Sequence, residues 1–489
     1  MRSGTRYLLL AFLAGAAVRL LFLGSRSFWH DEALSLLIAG RPSFAEVWRL
    51  ASPLQFGAPA YFLALHGWLA LGHGESAVRL LSVAGSLAAL AATFALARAW
   101  LSPASLLAGV WLAALLPFSI EYAQEARTYA WLSAFELAAA LAVARGLARP
   151  GGRWTAAFAA ALFLASATHP AAWIWWTGIF AGLALTPEGR RLLPRGAAAS
   201  VPAALVTGLG FLASRAVWRD RLADAFRLPS ATEYLRQTAL LFTAGHAPGV
   251  WAEAVLPFAV PVLAGVGVWA IAREPRRRPA AAVLAALTVV PVGLVWFGIA
   301  AGASTQLRYV AAVPPVLALV LAAGAGALPR WARAAALLLL LGAQADAFRR
   351  GLKGPPSLEP TFCLLSKKPV REATWFVRAG FRPGDRIVHV STAALLPMRW
   401  YAPDLPQGYL IDNPDLTPAV SRPLVGPPAP LERQLEGARR IWLVSCPWRF
   451  RDAPVVPGDL ASVLGRRCGT PQVRSFGGLD VYLAVVKGK

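Results

Sequence analysis

The sequence predicts a polytopic α-helical membrane protein with a small α/β domain at its C-terminal end. Three observations carry this prediction. Hydrophobic residues make up 57% of the 489 residues and charged residues only 15%, with a mean hydropathy of +0.52. An ordinary soluble domain is roughly 45–50% apolar and about 25% charged. Apolar stretches that suit a hydrocarbon core about 30 Å thick, which takes roughly 17–25 helical residues, recur along the first 350 residues. After a break at Lys353-Gly354-Pro355-Pro356 the chain turns to alternating helix-like and strand-like pieces. The same composition excludes a disordered chain and argues against a single soluble globule.

The candidate spans lie near 7–24, 77–99, 104–120, 128–146, 154–168, 171–186, 196–214, 250–272, 280–300, 308–328 and 331–347. That makes about eleven, several of them short, with 232–247 as a weaker twelfth. The first reads as a retained helix rather than a cleaved signal, because Arg19 interrupts the apolar run and no Ala-x-Ala site follows. Arg19 stands about one turn from the outer end. It either snorkels to the interface or meets an anion at the rim.

Orientation follows from the basic loops. Net charge is +23, from 48 Lys+Arg against 25 Asp+Glu, and most of the excess is arginine between apolar runs. With Arg2 and Arg6 in the cytoplasm, Arg98, Arg145/Arg149/Arg153, Arg190/Arg191/Arg195, Arg273/Arg276/Arg277/Arg278 and Arg330/Arg333 all fall on that side. This distribution needs no nucleic-acid partner. The outer side then holds loops 25–76, 119–129 and 215–232 and everything after about 350. Loops beyond about 12–15 residues are usually functional. Loop 25–76 holds helical-looking apolar pieces at 44–50 and 58–71, with Trp29, Trp48 and Trp68 suited to an interfacial position.

The boundaries predicted are 1–350 for the membrane domain and 351–489 for the outer α/β domain. In the latter, Lys368–Phe381 reads as a helix, Pro383-Gly384-Asp385 as a turn, and Arg386–Val390, Arg439–Ser445 and Leu479–Val486 as strands. Cys363, Cys446 and Cys468 form no C-x-x-C pair, which excludes a zinc knuckle or a thioredoxin-type motif. Their spacing leaves open whether Cys446 and Cys468 pair. No glycine-rich dinucleotide or phosphate-loop fingerprint is present.

Four polar clusters fall on the outer side. Trp29-His30-Asp31-Glu32 follows the first span; adjacent carboxylates there suit a base, a metal ligand, or an acidic helix start. Glu121-Tyr122-Ala123-Gln124-Glu125-Ala126-Arg127-Thr128-Tyr129 joins two spans. If helical, Tyr122, Glu125 and Tyr129 share a face; the plainer reading is a Glu–Arg pair anchoring a helix start. Thr168-His169-Pro170 lies on a tight turn, where a lone histidine is more often structural. Gln306-Leu307-Arg308-Tyr309 opens a late span, and its arginine offers a planar fork suited to phosphate, or else snorkels. Four clusters on one face point to a single polar site at the lipid–water boundary, suited to a substrate with a buried tail and a polar head.

At these residues the chain resembles the polytopic lipid-phosphate-sugar glycosyltransferases of the GT-C superfamily, especially bacterial relatives of protein O-mannosyltransferases and of the lipid A aminoarabinose transferase. Ser27–Ala33 is similar to their acidic first-loop motif, Glu75–Ser82 to the opening of their second span, and Glu121–Tyr129 to their second-loop motif. Thr168-His169 and Arg308-Tyr309 fall where the family has similar pairs. The likeness covers about residues 7–330. One departure stands out: the family's His-Pro-Pro stretch is replaced by Gln55-Phe56-Gly57-Ala58-Pro59-Ala60-Tyr61. That argues against a histidine-dependent role there.

The resemblance implies inverting transfer of a sugar from a polyprenyl phosphate to an acceptor at the extracytoplasmic face of a bacterial inner membrane. It implies Asp31 as base, with Glu32 and Glu125 orienting acceptor or sugar. Arg308, Arg127, Arg79, His169, Gln55, Tyr129 and Tyr309 are expected at the donor phosphate or sugar. Glu121, Gln124 and Tyr61 are expected as accessory or acceptor contacts. No nucleotide-binding fold is required and no cofactor is specified; a divalent metal is left open, with Asp31, Glu32 and Glu125 as its ligands if used. The acceptor (protein, lipid A or an envelope glycan) and the sugar are not specified. Two other classes fit the composition. A transporter or flippase would place ionisable residues at mid-membrane and show related halves. A membrane-anchored binding protein would need only the outer domain.

Overall fold

The computed structural model describes residues 2–218, 230–301, 305–353, 368–411, 418–446 and 460–487. Cys363 lies outside these residues.

The chain enters through α1 (Arg2–Leu20). Three short helices fill the first long loop: α2 (His30–Ala39), α3 (Phe44–Leu54) and α4 (Ala60–Trp68). The two apolar pieces read there in the sequence are helices α3 and α4. Then come α5 (Glu75–Trp100), α6 (Pro103–Ala114), α7 (Pro117–Ala123), α8 (Tyr129–Ala148), α9 (Gly152–Thr168) and α10 (Ala172–Ala184). The helical part closes with α11 (Pro187–Arg190), α12 (Leu193–Trp218), α13 (Ala231–Ala244), α14 (Val250–Ala272), α15 (Arg278–Ala300), α16 (Val313–Ala327) and α17 (Arg330–Lys353). Each apolar stretch read from the sequence falls on a helix or a broken pair. Among the described residues, six helices are long and apolar enough to cross a membrane, or seven counting the pair α6–α7. The chain is an integral membrane protein.

Two local readings are corrected. The span predicted near 104–120 is two helices bent by 44°, because Pro117 lacks a backbone N–H and disfavours helix at the residue before it. Arg19 neither snorkels nor reaches the rim. Its side chain follows the helical bias toward the N-terminus. It donates inward to Gly15 O and Ala114 O, each at 2.8 Å, and to Ser86 Oγ at 2.8 Å. It thereby stitches α1 to the buried carbonyl end of α6, where a helix leaves its last carbonyls without intrahelical partners.

The bundle is packed through small residues where helices approach closely. A Cβ on Gly267 of α14 would stand 2.1 Å from Val320 O of α16, so only glycine permits that contact.

The C-terminal part begins with α18 (Val370–Gly380), β1 (Asp385–Ser391), α19 (Thr392–Tyr401) and β2 (Gln407–Ile411). It continues with α20 (Pro418–Val425), α21 (Leu431–Leu435), β3 (Arg440–Ser445), α22 (Leu460–Arg467), β4 (Gln472–Phe476) and β5 (Leu479–Val485). The strands form one sheet in the order β2-β1-β3-β5-β4. β1 is parallel to β2 and β3; β5 is antiparallel to β3 and β4. Ile387 sits opposite Gln407 on one side and Trp442 on the other. Cys446 and Cys468 are free thiols, not a disulfide. Helix α19 lies against α2: Leu396 joins Phe28, Leu36, Val47 and Phe62 in one buried cluster. The sheet is thus fastened to the loop that carries Asp31.

Candidate active site

The first turn of α2 separates its two carboxylates completely. Trp29 is extended and caps the helix, and its N–H donates to Glu32 Oε2 at 3.4 Å. Glu32 is fully buried and takes a two-pronged contact from Arg79, Nε to Oε1 at 2.8 Å and Nη2 to Oε2 at 2.9 Å. It also accepts from Ala126 N at 2.9 Å. Arg79 donates onward to the carbonyls of Leu23, Arg26 and Ser27. This planar-fork geometry binds α5, the entry to α2 and the α7–α8 turn into one unit. Both residues were expected at the substrate; the structure pairs them with each other.

Asp31 faces the other way. Its side chain keeps 17% exposure and stands 3.4 Å from Arg308 Nη1 and 3.6 Å from Arg127 Nη2. His30 Nδ1 is 3.3 Å away. These ion-pair distances leave the carboxylate oxygens room for a tighter partner. Burial alone would raise this carboxyl, but Arg127, the His30 hydrogen bond and Arg308 outweigh it and hold it well below the usual carboxylate range.

The arginines are fixed by different elements. Arg127 Nη1 donates to Asp31 O at 3.3 Å and Ser35 Oγ at 3.2 Å. Ser35 was not anticipated, although its i+4 spacing from Asp31 on α2 was a usable signal. Arg308 lies in a tight helical turn before α16. That turn is tied to α8: Ser133 Oγ donates to Ala311 O at 3.3 Å, and the buried Glu136 carboxyl accepts from the Ala312 N–H.

Aromatic rings floor the cluster. Arg308 sits 5.5 Å and Arg127 5.8 Å from the Tyr129 ring centre, within cation–π range. Tyr309 stacks near Tyr129 at 6.4 Å, and His169 lies 4.9 Å from Tyr309 and 5.5 Å from Tyr129. His169 Nδ1 accepts from Ala171 N at 3.1 Å, so its neutral ring carries the proton on Nε2. Burial, with Arg127 and Arg308 adding to it, pushes His169 down to about 3. It is therefore a neutral hydrogen-bond donor beside two guanidinium groups.

Asp31, Arg127, Tyr129, His169, Arg308 and Tyr309 thus come together from four separate stretches of chain. The remaining expected residues have other placements. Tyr122 and Tyr129 do not share a helix, since α7 ends at Ala123; the turn between them brings their rings to 5.1 Å. Glu125 lies fully buried in that turn. Gln124 Nε2 donates to the α1-end carbonyls of Arg19 and Leu21. Glu121 hydrogen-bonds His246 Nδ1, in the loop after α13. No signal in the sequence joins those two residues. Tyr61 Oη shares a 3.2 Å hydrogen bond with Ser82 Oγ. Gln55 closes α3, and among the described residues no hydrogen bond or ion pair joins it to the Asp31 group.

The donor set does not suit a divalent cation. Glu32 is paired with Arg79, and two guanidinium groups face Asp31. Among the described residues no group of three or more His, Cys, Asp or Glu is placed to hold a metal.

No family model and no curated protein matches the chain. Solved structures do. ArnT from Cupriavidus metallidurans in the apo state aligns at 13% identity and TM-score 0.65, covering 98% of each chain. The same protein bound to undecaprenyl phosphate aligns at 12% and 0.64, again over 98% of each. The Archaeoglobus fulgidus oligosaccharyltransferase AglB, in complex with an inhibitory peptide and a dolichol-phosphate, aligns at 12% and 0.53 over 90% of this chain and 69% of that one. All are GT-C superfamily members. The chain shares the fold of these structures, the fold that the sequence resemblance implied.

Proposed function

We propose that the chain is an inverting membrane glycosyltransferase that moves a sugar from a polyprenyl phosphate to an acceptor hydroxyl at the extracytoplasmic face. The observation that carries the reading is the placement of one part-exposed carboxylate, Asp31, between Arg127 and Arg308 on a GT-C fold. Polyprenyl phosphates bound to two of the similar structures support the donor class. The run of arginines from Arg98 to Arg333 in the opposite loops supports a cytoplasmic N-terminus, and the likeness to ArnT supports a bacterial inner membrane.

In the resting protein the guanidinium groups neutralise Asp31. An incoming polyprenyl-phosphate sugar offers them a phosphodiester anion whose two free oxygens suit paired donors, and a second negative charge develops on that phosphate as the sugar leaves. As they turn to it, Asp31 loses its counter-charges and gains a negative neighbour, so its proton affinity rises. The acceptor oxygen then attacks the anomeric carbon and its proton passes to Asp31. The bond from that carbon to the phosphate oxygen breaks, and the electron pair leaves on the polyprenyl phosphate. Arg127 and Arg308 stabilise the charge that grows there. Neutral His169 supplies an N–H to phosphate or sugar. The other carboxylate of the motif, Glu32, is locked by Arg79, so Asp31 is the base of this reading; it takes the proton without bonding to the sugar, and direct attack by the acceptor is a single displacement with inversion.

The test is transfer from radiolabelled polyprenyl-phosphate sugars in membranes containing the protein, against empty-vector membranes. Protein, lipid A and glycan fractions are counted separately, which names both sugar and acceptor. Labelled acceptor with inverted anomeric configuration is expected. Uptake of labelled donor without transfer, for every sugar tried, overturns the reading in favour of a transporter.

A further inference from the structure

The segment Gly24–Phe28 leads directly into the turn that carries Asp31, and it is gripped from two sides. From within, Arg79 of α5 holds its carbonyls. From outside, the sheet part of the chain holds it through side chains that the proposed reaction does not use. Phe28 N donates to Tyr401 Oη at 2.7 Å, and the two rings stack 5.8 Å apart. The Tyr401 hydroxyl donates in turn to Glu75 Oε1 at 2.7 Å. Arg371 Nη1 donates to the same Glu75 oxygen at 2.9 Å and to Gly24 O at 3.1 Å. Ser27 Oγ donates to Glu372 Oε2 at 2.9 Å and accepts from Arg371 N at 3.2 Å.

Glu75 opens α5, and Arg79 stands one turn later on the same helix. One helix start therefore presents an outward prong to the sheet part and an inward prong to Glu32. A surface ornament would be joined by exposed, replaceable pairs; here Glu75 is 13% and Arg371 17% exposed.

Building on the glycosyltransferase reading, we propose that the C-terminal sheet part is a working component of the site. Tyr401 is a positioning residue. With Glu75 and Arg371 it latches the segment before α2 and so fixes Asp31 between Arg127 and Arg308. Loss of the Tyr401 hydroxyl frees that segment on one side, and misplacement of a reacting group by about 1 Å costs on the order of 10²-fold in rate.

Tyr401→Phe keeps the ring stack and removes both hydrogen bonds. Its kcat is expected to fall at least about tenfold with donor KM within about twofold, the split of a group that orients rather than binds. Glu75→Ala should behave alike, while Glu75→Gln, which keeps an acceptor oxygen, should recover most of the rate. A second readout does not depend on activity. Asp31→Cys, in a background with Cys363, Cys446 and Cys468 changed to serine, is labelled with a membrane-impermeant maleimide, with and without Tyr401→Phe. Faster labelling in the Tyr401→Phe background is expected. Unchanged labelling together with unchanged kcat overturns the latch. If the wild type transfers no sugar, the glycosyltransferase reading falls while the labelling rates still decide the latch.

Discussion

Asp31 and Glu32 are neighbours in the chain and opposites in environment: Glu32 is sealed against Arg79, and Asp31 stays part-exposed between Arg127 and Arg308. On the proposed reading the first holds the fold and the second meets a substrate. The two carboxylates therefore separate in experiment.

Removing the charge of Glu32 leaves Arg79 buried and uncompensated. Breaking such a pair costs about 3–5 kcal/mol. Glu32→Gln is expected to lower the thermal midpoint of the detergent-solubilised protein by several degrees. Arg79→Lys should do the same, because lysine cannot supply the paired donors. Asp31→Asn should leave the midpoint near that of the wild type.

Arg308 is predicted to bind the donor phosphate. Hydrogen bonds to charged groups contribute about 1.5–3 kcal/mol, so Arg308→Gln should weaken binding of undecaprenyl phosphate by roughly ten- to a hundredfold. Quenching of the native tryptophans by the titrated lipid measures this. Equal affinity in variant and wild type would remove Arg308 from the phosphate site.

The arginine exchange predicts a split pH profile. In the free protein Asp31 is held well below the usual carboxylate range, so it is ionised wherever the protein is assayed. Its protonation therefore puts no acid limb on kcat/KM, which reports the free enzyme. In the donor complex its proton affinity is higher, so kcat, which reports the complex, should decline on the acid side at a higher pH than kcat/KM. Coincident acid limbs would contradict the exchange.

The helical frame was legible because hydrocarbon leaves the chain little choice. A span must be long, apolar and internally hydrogen-bonded, and each stretch read that way is helical. Asp31, Arg127, His169 and Arg308 were legible as charged or polar residues at the ends of such stretches. What stayed hidden was pairing at a distance. Nothing local distinguishes Glu32 from Asp31; the difference is Arg79, 47 positions away. Glu121 and His246 meet across 125 positions. The α6–α7 break was hidden inside an apolar run, although Pro117 signals it once its missing N–H is weighed. Strands β2 and β4 were missed: Gln407–Ile411 and Gln472–Phe476 are short and lie at the two edges of the sheet, where burial imposes little pattern.

His169 gives a stability signature. Its ordinary value is 6.5 and burial lowers it to about 3 in the folded protein. Below about 6.5 the unfolded chain takes up a proton that the folded chain refuses, so folded stability falls as pH drops through that window. His169→Gln should show a shallower loss of thermal midpoint between neutral pH and pH about 4. An identical slope would place His169 outside the buried, arginine-flanked setting described.

The most direct test of the central claim is single-turnover transfer by purified, reconstituted protein, wild type against Asp31→Asn, with donor binding measured on the same samples. The account predicts that Asp31→Asn binds the donor at least as tightly, since Arg127 and Arg308 are released from their resting partner. It predicts that transfer is slower by about 10²–10⁴-fold, the usual worth of a positioned base. Transfer within twofold of wild type at full donor occupancy would contradict it.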